Sequence, residues 1–244
     1  MSLPIPFPTG GLIERATNIG YMRDLWVPSS FDYDVFEDKF WGDELRGIYP
    51  AAKISGTAAA VTFAEHNENG YLSIISGTDS EGYAGQGMGL QFTGDRGYLA
   101  EFIVQLPSAI TTFKCEIGMS DADDNAGAIN AKATTSTFTA TDCAVICMDT
   151  DDDAYFAFLS AMTGTGVETQ DITASLPIAS ATYRIAIRGE GDSVSAYING
   201  TQVAGGAHLC NGATKVTPWV FSQARTTSTR NVLLYKWRVI QPAY

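Results

Sequence analysis

Four acidic side chains stand within five residues at positions 149 to 153, which makes this segment the densest group of candidate metal ligands in the chain. Asp149, Asp151, Asp152 and Asp153 could share a Ca²⁺ ion, because this hard cation prefers carboxylate oxygens and would relieve the repulsion among them. The same segment connects two predicted strands, and acidic residues are also common at hydrated hairpin tips. The sequence therefore leaves two interpretations open, a calcium site and a solvated turn.

A second acidic segment begins like the calcium loop of an EF-hand, with side-chain oxygens at Asp121, Asp123 and Asn125. The pattern then fails at two positions that such a loop requires. Ala126 occupies the position of the turn glycine, and Lys132 occupies the position of the bidentate glutamate. The sequence therefore predicts no EF-hand at this segment.

The chain offers little for histidine or thiol chemistry, since it has two histidines and four cysteines. His208 stands two residues before Cys210, but no nucleophile motif accompanies it, so we expect a loop histidine. Cys143 and Cys147 fall in one predicted strand, where four residues span roughly 13 Å and exclude a disulfide between them. A zinc site is a poor alternative without a CxxC pair. We expect buried, reduced thiols at Cys115, Cys143, Cys147 and Cys210.

One aromatic residue is a candidate for sugar binding. Tyr83 lies in the glycine-rich segment 81–87, where its ring could stack on a carbohydrate. The alternative is a tyrosine that packs within a glycine-rich turn. Asn199-Gly-Thr201 matches the acceptor pattern for N-glycosylation, but it follows an alternating strand and therefore predicts a hairpin turn.

The overall charge narrows the range of partners. The 244-residue chain carries 27 acidic and 15 basic side chains, a formal net charge of -12. Binding to nucleic acid requires a basic face that displaces counterions, so we expect no nucleic-acid partner. No stretch reaches the roughly 20 apolar residues that span a membrane, and the first residues do not resemble a signal peptide. We therefore expect no membrane partner and synthesis in a cytoplasm.

From about residue 57 onward, short apolar segments alternate with turns, and we find no convincing helix. Phe113, Cys115 and Ile117 alternate with Lys114 and Glu116, which predicts a strand with one buried and one solvated face. We expect about ten to fourteen strands, and hence a sandwich or barrel. The clearest predicted strands cover residues 71–76, 87–93, 98–106, 112–119, 143–148, 154–159, 183–188, 194–198, 219–222 and 232–240.

Residues 1 to about 60 differ from the rest of the chain. Prolines alternate near the N-terminus and favour an extended conformation, and many aromatic residues follow. Aromatic side chains need a surface to cover. For residues 1–30 this surface is either the chain's own sandwich or another subunit, and after Phe31 we expect the chain's own sandwich. We predict a partner-binding arm whose contact residues include Pro4, Pro6, Phe7, Pro8, Tyr21 and Trp26.

The segment 181–204, with its Tyr-Arg start and its Tyr-Ile-Asn-Gly turn, resembles a late hairpin of the concanavalin A-like lectin/glucanase jelly roll. Residues 36–41 resemble the opening of such domains, and residues 235–239 resemble their closing strand. The resemblance implies an antiparallel β-sandwich over residues 36–244, behind an extended arm over residues 1–35. The chain also resembles structural proteins of tailed bacteriophages, which often carry this sandwich behind a proline-containing arm.

Glucanases of this jelly roll carry a strand motif, Glu-x-Asp-x-x-Glu, that places an acid and a nucleophile on one face. The chain departs from this pattern throughout. Glu65 and Glu68 lack the intervening Asp, Glu101 is alone in its strand, and Glu116 is followed by Ile-Gly-Met. We therefore expect no glycoside hydrolysis and no enzymatic activity.

Two functions remain open. The first is a non-catalytic virion protein of a tailed phage, such as a capsid decoration subunit made in the host cytoplasm. Its arm would dock on neighbouring capsid or tail subunits or on its own copies, and analogy favours a trimer. The alternative is a carbohydrate-binding or receptor-binding module with Tyr83 as a glycan contact. Neither function needs a cofactor, apart from the candidate Ca²⁺ at residues 149–153.

Overall fold

Within the residues that the structure describes, the chain forms 17 β-strands and no helix, arranged as two large antiparallel sheets and a small one. This confirms the predicted all-β sandwich. It also means that no helix in the described ranges is long and apolar enough to cross a membrane. The structure is a computed structural model, and it describes residues 33–40, 49–63, 70–89, 91–122, 127–132, 136–169, 172, 177–206 and 208–242. The predicted arm contacts Pro4, Pro6, Phe7, Pro8, Tyr21 and Trp26 lie outside these ranges.

The larger sheet has eight strands. They are β1 (Tyr33–Asp38), β3 (Ala60–Phe63), β4 (Leu72–Ile75), β6 (Tyr98–Gln105), β13 (Thr182–Glu190), β14 (Ser193–Ile198), β15 (Thr201–Ala204) and β17 (Asn231–Pro242). Their order is β15-β14-β13-β6-β17-β4-β3, and β1 pairs with the C-terminal half of β17. The first strand therefore crosses the predicted boundary between residues 35 and 36.

The smaller sheet has seven strands. They are β2 (Lys53–Ser55), β5 (Tyr83–Gly87), β7 (Phe113–Ser120), β10 (Cys143–Asp149), β11 (Asp153–Met162), β12 (Thr165–Thr169) and β16 (Thr217–Ala224). Their order is β12-β11-β10-β7-β16-β5-β2. A separate two-stranded hairpin consists of β8 (Ile129–Ala131) and β9 (Thr137–Phe138). The described strands outnumber the predicted ones because short strands such as β2, β8 and β9 carry no alternating pattern.

The main core lies between the two large sheets. Ile117 and Ile146 of the smaller sheet and Phe102, Ile185 and Trp237 of the larger sheet are fully buried in one apolar cluster. Burial of a large apolar side chain contributes roughly 1.5–3 kcal/mol, so this shared core holds the sheets together.

The outer face of β7 was predicted to be solvated, and this prediction is wrong. Lys114 and Glu116 are fully buried, because the β8–β9 hairpin covers this face of the smaller sheet. A second apolar cluster forms beneath the cover and includes Ile129, Val145 and Trp219. The alternating pattern identified the strand correctly, but it could not show that a segment from elsewhere in the chain lies over its polar side.

One turn prediction is confirmed, and one strand prediction is wrong. The Asn199-Gly200 pair forms the predicted hairpin turn between β14 and β15, with φ values of 51° and 85° that suit a type I′ turn. The strand predicted over residues 87–93 is wrong, since β5 covers Tyr83–Gly87 instead. Gly85 hid this strand from the sequence pattern. An added Cβ there would lie 2.6 Å from the Trp219 ring, so the indole occupies the space of a side chain.

Candidate functional site

A cleft of about 370 Å³ opens at one end of the larger sheet. It lies between the turn at residues 94–97, which precedes β6, and the turn that follows β13, beside the end of β17. Its size falls within the usual range of small-ligand sites. It is lined by Gly94, Asp95, Arg96, Gly97, Tyr98, Arg188, Gly189, Glu190, Gly191, Ile240 and Pro242.

The two turns contact each other through their backbones, with glycines at the closest approach. The Gly191 N–H donates to the Gly94 carbonyl at 2.8 Å, and a Cβ added to Gly94 would lie 2.2 Å from the Gly191 oxygen. Gly212 packs behind them. Its N–H donates to Asp192 Oδ1 at 2.7 Å, and its carbonyl accepts from the Asp95 N–H at 2.9 Å. These contacts fix the walls of the cleft, since a bulkier residue at Gly94 would separate the turns.

The end of β17 forms the third wall. Gln241 Nε2 donates to the Thr93 carbonyl at 2.9 Å and to the Gly97 carbonyl at 3.3 Å, which ties the strand to the first turn. Arg96 donates to the Pro242 carbonyl and forms an ion pair with Asp34 at 3.1 Å. The cleft is therefore built from segments that are far apart in the sequence.

The lining combines paired charges with a small apolar surface. Arg188 lies 2.9 Å from Glu190 on one side, while the pair of Arg96 and Asp34 lies on the other. Ile240 adds an apolar wall beside them. Guanidinium and carboxylate groups can exchange some of their contacts for ligand hydroxyls, and the apolar wall can accept a C–H face. The site therefore suits a small polar ligand that carries several hydroxyl groups.

The acidic turn at 149–153 has cations of its own. Asp149 is buried and accepts hydrogen bonds from Arg225, with Nε at 2.9 Å from Oδ1 and a second bond from Nη2. Arg225 also lies 3.3 Å from Asp151. The Lys132 ammonium lies 3.0 Å from Asp152 and 2.6 Å from Asp153.

Burial alone would raise the pKa of Asp153, but the bond to the Lys132 ammonium outweighs it and the pKa is lowered. Among the described residues, no group of three or more His, Cys, Asp or Glu side chains is arranged to hold a metal ion. Calcium at the acidic turn stays a prediction, and the ion would have to displace Arg225 and Lys132.

Tyr83 lies in β5 rather than in a glycine-rich loop. Its ring packs against Phe221 with the centroids 5.6 Å apart, and it belongs to the edge of the cluster beneath the β8–β9 hairpin. The side chain is partly exposed and lies on the smaller sheet, whereas the cleft lies at the larger sheet. A glycan contact at Tyr83 stays a prediction.

Glu116 is enclosed on the smaller sheet. Its carboxylate accepts from the N–H groups of Ala128 at 2.6 Å and Ile129 at 3.1 Å, and from Trp219 Nε1 at 3.2 Å. The Lys114 ammonium lies 2.9 Å away. Both oxygens are therefore engaged inside the protein.

Glu101 is enclosed on the outer face of the larger sheet, between Arg184 and Arg238. Burial alone would raise its pKa, but the two guanidinium groups outweigh this effect and lower the pKa. Glu65 and Glu68 lie outside the described residues. Glu101 and Glu116, the described glutamates among the sequence candidates, are thus both held in ion pairs, on different sheets.

His208 is buried, and Ser160 Oγ lies 3.0 Å from its Nδ1. Burial lowers the pKa of this histidine. Ser160 is itself fully buried within β11, so the pair has no path to a substrate. All four cysteines are buried and unpaired with one another, as the sequence predicts.

No local sequence pattern predicted the cleft. Its two turns share a pattern of glycines around charged residues, Gly94-Asp-Arg-Gly97 and Gly189-Glu-Gly191. That pattern could have marked both as close backbone approaches, but nothing local indicates that the two turns touch each other.

Protein-family models and curated protein sequences give no match to the chain. Solved structures do. A protein of unknown function from Shewanella oneidensis has a TM-score of 0.60 at 12% identity, and the match covers 99% of this chain and 97% of that one. Peanut lectin has a TM-score of 0.57 at 10% identity, covering 86% and 97%. A glycoside hydrolase family 16 endo-glucanase from Bacteroides ovatus has 0.54 at 9%, covering 84% and 99%. At these identities the likeness establishes the fold alone, and the chain has the concanavalin A-like jelly-roll fold.

Proposed function

We propose that the protein is a non-catalytic carbohydrate-binding protein whose ligand lies in the cleft between the turns at 94–97 and 188–191. The observation that carries the proposal is the lining of this cleft, where Arg96, Arg188 and Glu190 stand beside the apolar Ile240. Protein sites for sugars combine planar charged groups, which bind hydroxyls, with an apolar wall for the C–H face. The jelly-roll fold adds weight, since a lectin and a glycoside hydrolase share it.

Binding without hydrolysis is the better interpretation of the carboxylates. A glycosidase needs two carboxyl groups that face one bound sugar, about 5–9.5 Å apart. Glu116 and Glu101 are buried on different sheets, and arginine, lysine or backbone donors engage both. The cleft itself is lined by two carboxylates, Asp95 and Glu190, and Glu190 is largely exposed and paired with Arg188. These facts support a binding role over a retaining or inverting mechanism.

The test is a glycan array probed with the full chain, with and without Ca²⁺, followed by calorimetry on the best ligand. Arg188→Ala should weaken binding at least tenfold, because it removes a planar donor from the cleft. Lys53→Ala is the matched control, since it removes one cation from an edge strand of the other sheet and should leave affinity unchanged. An array without any retained glycan, or equal affinities for the wild type and Arg188→Ala, would contradict the proposal.

A second proposed function is a virion subunit of a tailed phage, with an arm that adds contact area on a neighbouring subunit. One observation favours it. The chain enters the larger sheet on β1, a strand at the surface edge beside β17, with 32 residues preceding it. A fully extended segment of this length reaches about 110 Å, which is enough to contact a neighbour. Removal of residues 1–30 should then abolish incorporation into particles, and unchanged incorporation would contradict this role.

A further inference from the structure

The outer face of the larger sheet is buried, although no described strand lies over it. Leu99 is 1% exposed and Tyr197 is 6% exposed. Both side chains point away from the main core, since their strand neighbours Ala100 and Ala196 point into it. We call the patch formed by Leu99, Ala186 and Tyr197 the outer apolar patch; Ile240, beside Leu99, belongs to the cleft.

Ala186 on β13 pairs with Tyr197 on β14 and, on its other side, with Glu101 on β6. Leu99 on β6 pairs with Arg188 on β13, so the apolar residues of the patch have these two charged residues as direct neighbours. Val35 lies on β1 next to Ile240 and is 52% exposed. This value is the solvent exposure of an apolar side chain at the edge of the same face that is not covered. The outer apolar patch is therefore shielded from water, either by the arginine side chains of the same face or by a segment that stops before β1.

The segment before Tyr33 can reach the patch. Tyr33 pairs with Pro242 at the end of β17, so the chain N-terminal to β1 leaves the sheet beside the patch. From β1 to β14 there are four strand spacings of about 4.8 Å, or about 19 Å in total. At about 3.4 Å per residue, six extended residues span this distance. The twelve residues from Tyr21 to Asp32 exceed this minimum, so the chain is long enough for the apolar run Leu25-Trp26-Val27 to lie over the patch.

We propose that the outer apolar patch is the docking surface for the segment 21–27 of the same chain. The patch is buried within a single chain, which favours the chain's own segment over a second copy. The chemistry also fits, because this segment is rich in aromatic and aliphatic side chains and carries only Arg23 and Asp24 as charges. An apolar segment of this kind gains by covering an apolar sheet face. The proposal does not rest on carbohydrate binding at the cleft.

Photo-crosslinking in the full-length protein tests the docking. A benzophenone amino acid replaces Ser195, a half-buried residue whose hydroxyl lies 3.5 Å from the Tyr197 hydroxyl. The expected product is a monomer-sized species in which position 195 is joined to a peptide from residues 21–27. The same group in place of Thr62, an exposed residue of β3 in the same sheet, is the control and should give no such product.

A full-length variant with Leu25→Asp, Trp26→Asp and Val27→Asp supplies the second readout. The crosslink yield at position 195 should fall at least fivefold, while the protein still unfolds in one main transition at a somewhat lower urea midpoint, because the docking contacts are lost and the main core is untouched. Crosslinks only within the larger sheet would show that the patch is shielded by its own side chains and would overturn the proposal. A dimer-sized product whose yield rises with concentration would overturn it in favour of a second copy, as the virion role expects.

Discussion

At the scale of single residues, the unusual feature is a buried ion pair in which every charge has several partners. Lys114 lies 2.9 Å from Glu116, its ammonium donates to the Ile129 carbonyl, and it lies 5.2 Å from the centre of the Phe221 ring. Removing a charge from water costs several kcal/mol, and only a complete set of partners offsets that cost. The pair therefore fixes the position of the β8–β9 hairpin over the smaller sheet.

Glu116→Gln should destabilise the protein by about 3 kcal/mol, because it leaves the Lys114 charge buried without a counter-ion. The free energy of unfolding in urea measures the effect. Glu190→Gln is the matched control, since Glu190 forms an exposed pair with Arg188 and its loss should cost less than about 1 kcal/mol. A loss below about 1 kcal/mol for Glu116→Gln would show that the hairpin moves easily and lets water reach Lys114.

The pH dependence of the free energy of unfolding should distinguish the contribution of His208 from those of the carboxylates. Burial lowers the pKa of His208 in the folded state, so below about pH 6.5 the unfolded chain binds a proton that the folded chain does not. Stability should therefore fall between about pH 7 and 5.5, by up to about 1.4 kcal/mol per pH unit. Burial alone would raise the pKa of Glu101 and Glu37, but their arginine and lysine partners outweigh it and lower the pKa. The stability that these two carboxylates contribute is therefore lost only at more acidic pH.

Urea unfolding at several pH values checks the assignment to His208. His208→Gln should remove the decrease between pH 7 and 5.5, whereas His66→Gln, which removes the other histidine, should retain it. A decrease that persists in His208→Gln would mean that another group titrates in this range.

At the scale of elements, the cleft depends on the close approach of two turns. Gly94→Ala places a methyl group on the Gly191 carbonyl, which should separate the turns, cost about 1–3 kcal/mol of stability and weaken any ligand of the cleft. Gly205→Ala is a suitable control, because its methyl group meets chiefly the flexible end of Gln202. Thermal unfolding of both variants measures the difference. Equal midpoints would indicate that the turns adapt and that the cleft is not rigid.

The elements also show where sequence patterns succeed. Alternating residues predicted the strands β13 and β14, and the Asn199-Gly200 pair predicted the turn between β14 and β15. Both signals are local in the sequence. Alternation in β7 gave the strand but the wrong surroundings, since the cover over Glu116 comes from a later part of the chain. β5 was missed because Trp219, more than 130 residues away, fills the space above Gly85. Local patterns therefore predict strands and turns, whereas long-range packing decides which faces of the strands are exposed to solvent.

At the scale of the whole molecule, the same limit explains why the candidate site was missed. The cleft joins the start of β6, the end of β13 and the end of β17, with Asp34 contributing from β1. These segments come together only when the larger sheet is complete. The local sequence indicates two glycine-containing turns with charged residues. That these two turns contact each other is determined by the complete fold. The acidic segment at 149–153 attracted attention because its residues are adjacent in sequence, yet each acid has a cation that comes from elsewhere in the chain.

The four thiols report on the cooperativity of the whole sandwich. Burial raises the pKa of Cys210 to about 12 and raises the pKa of the other three cysteines as well, so hardly any thiolate forms near neutral pH. An aromatic disulfide reagent at about pH 8 should therefore leave the folded protein unmodified for hours and react with four thiols in denaturant. Thr62→Cys adds an exposed thiol and should react within minutes, which shows that the reagent is active. Rapid reaction of a native cysteine would contradict the prediction, because it would require a core strand to open without global unfolding.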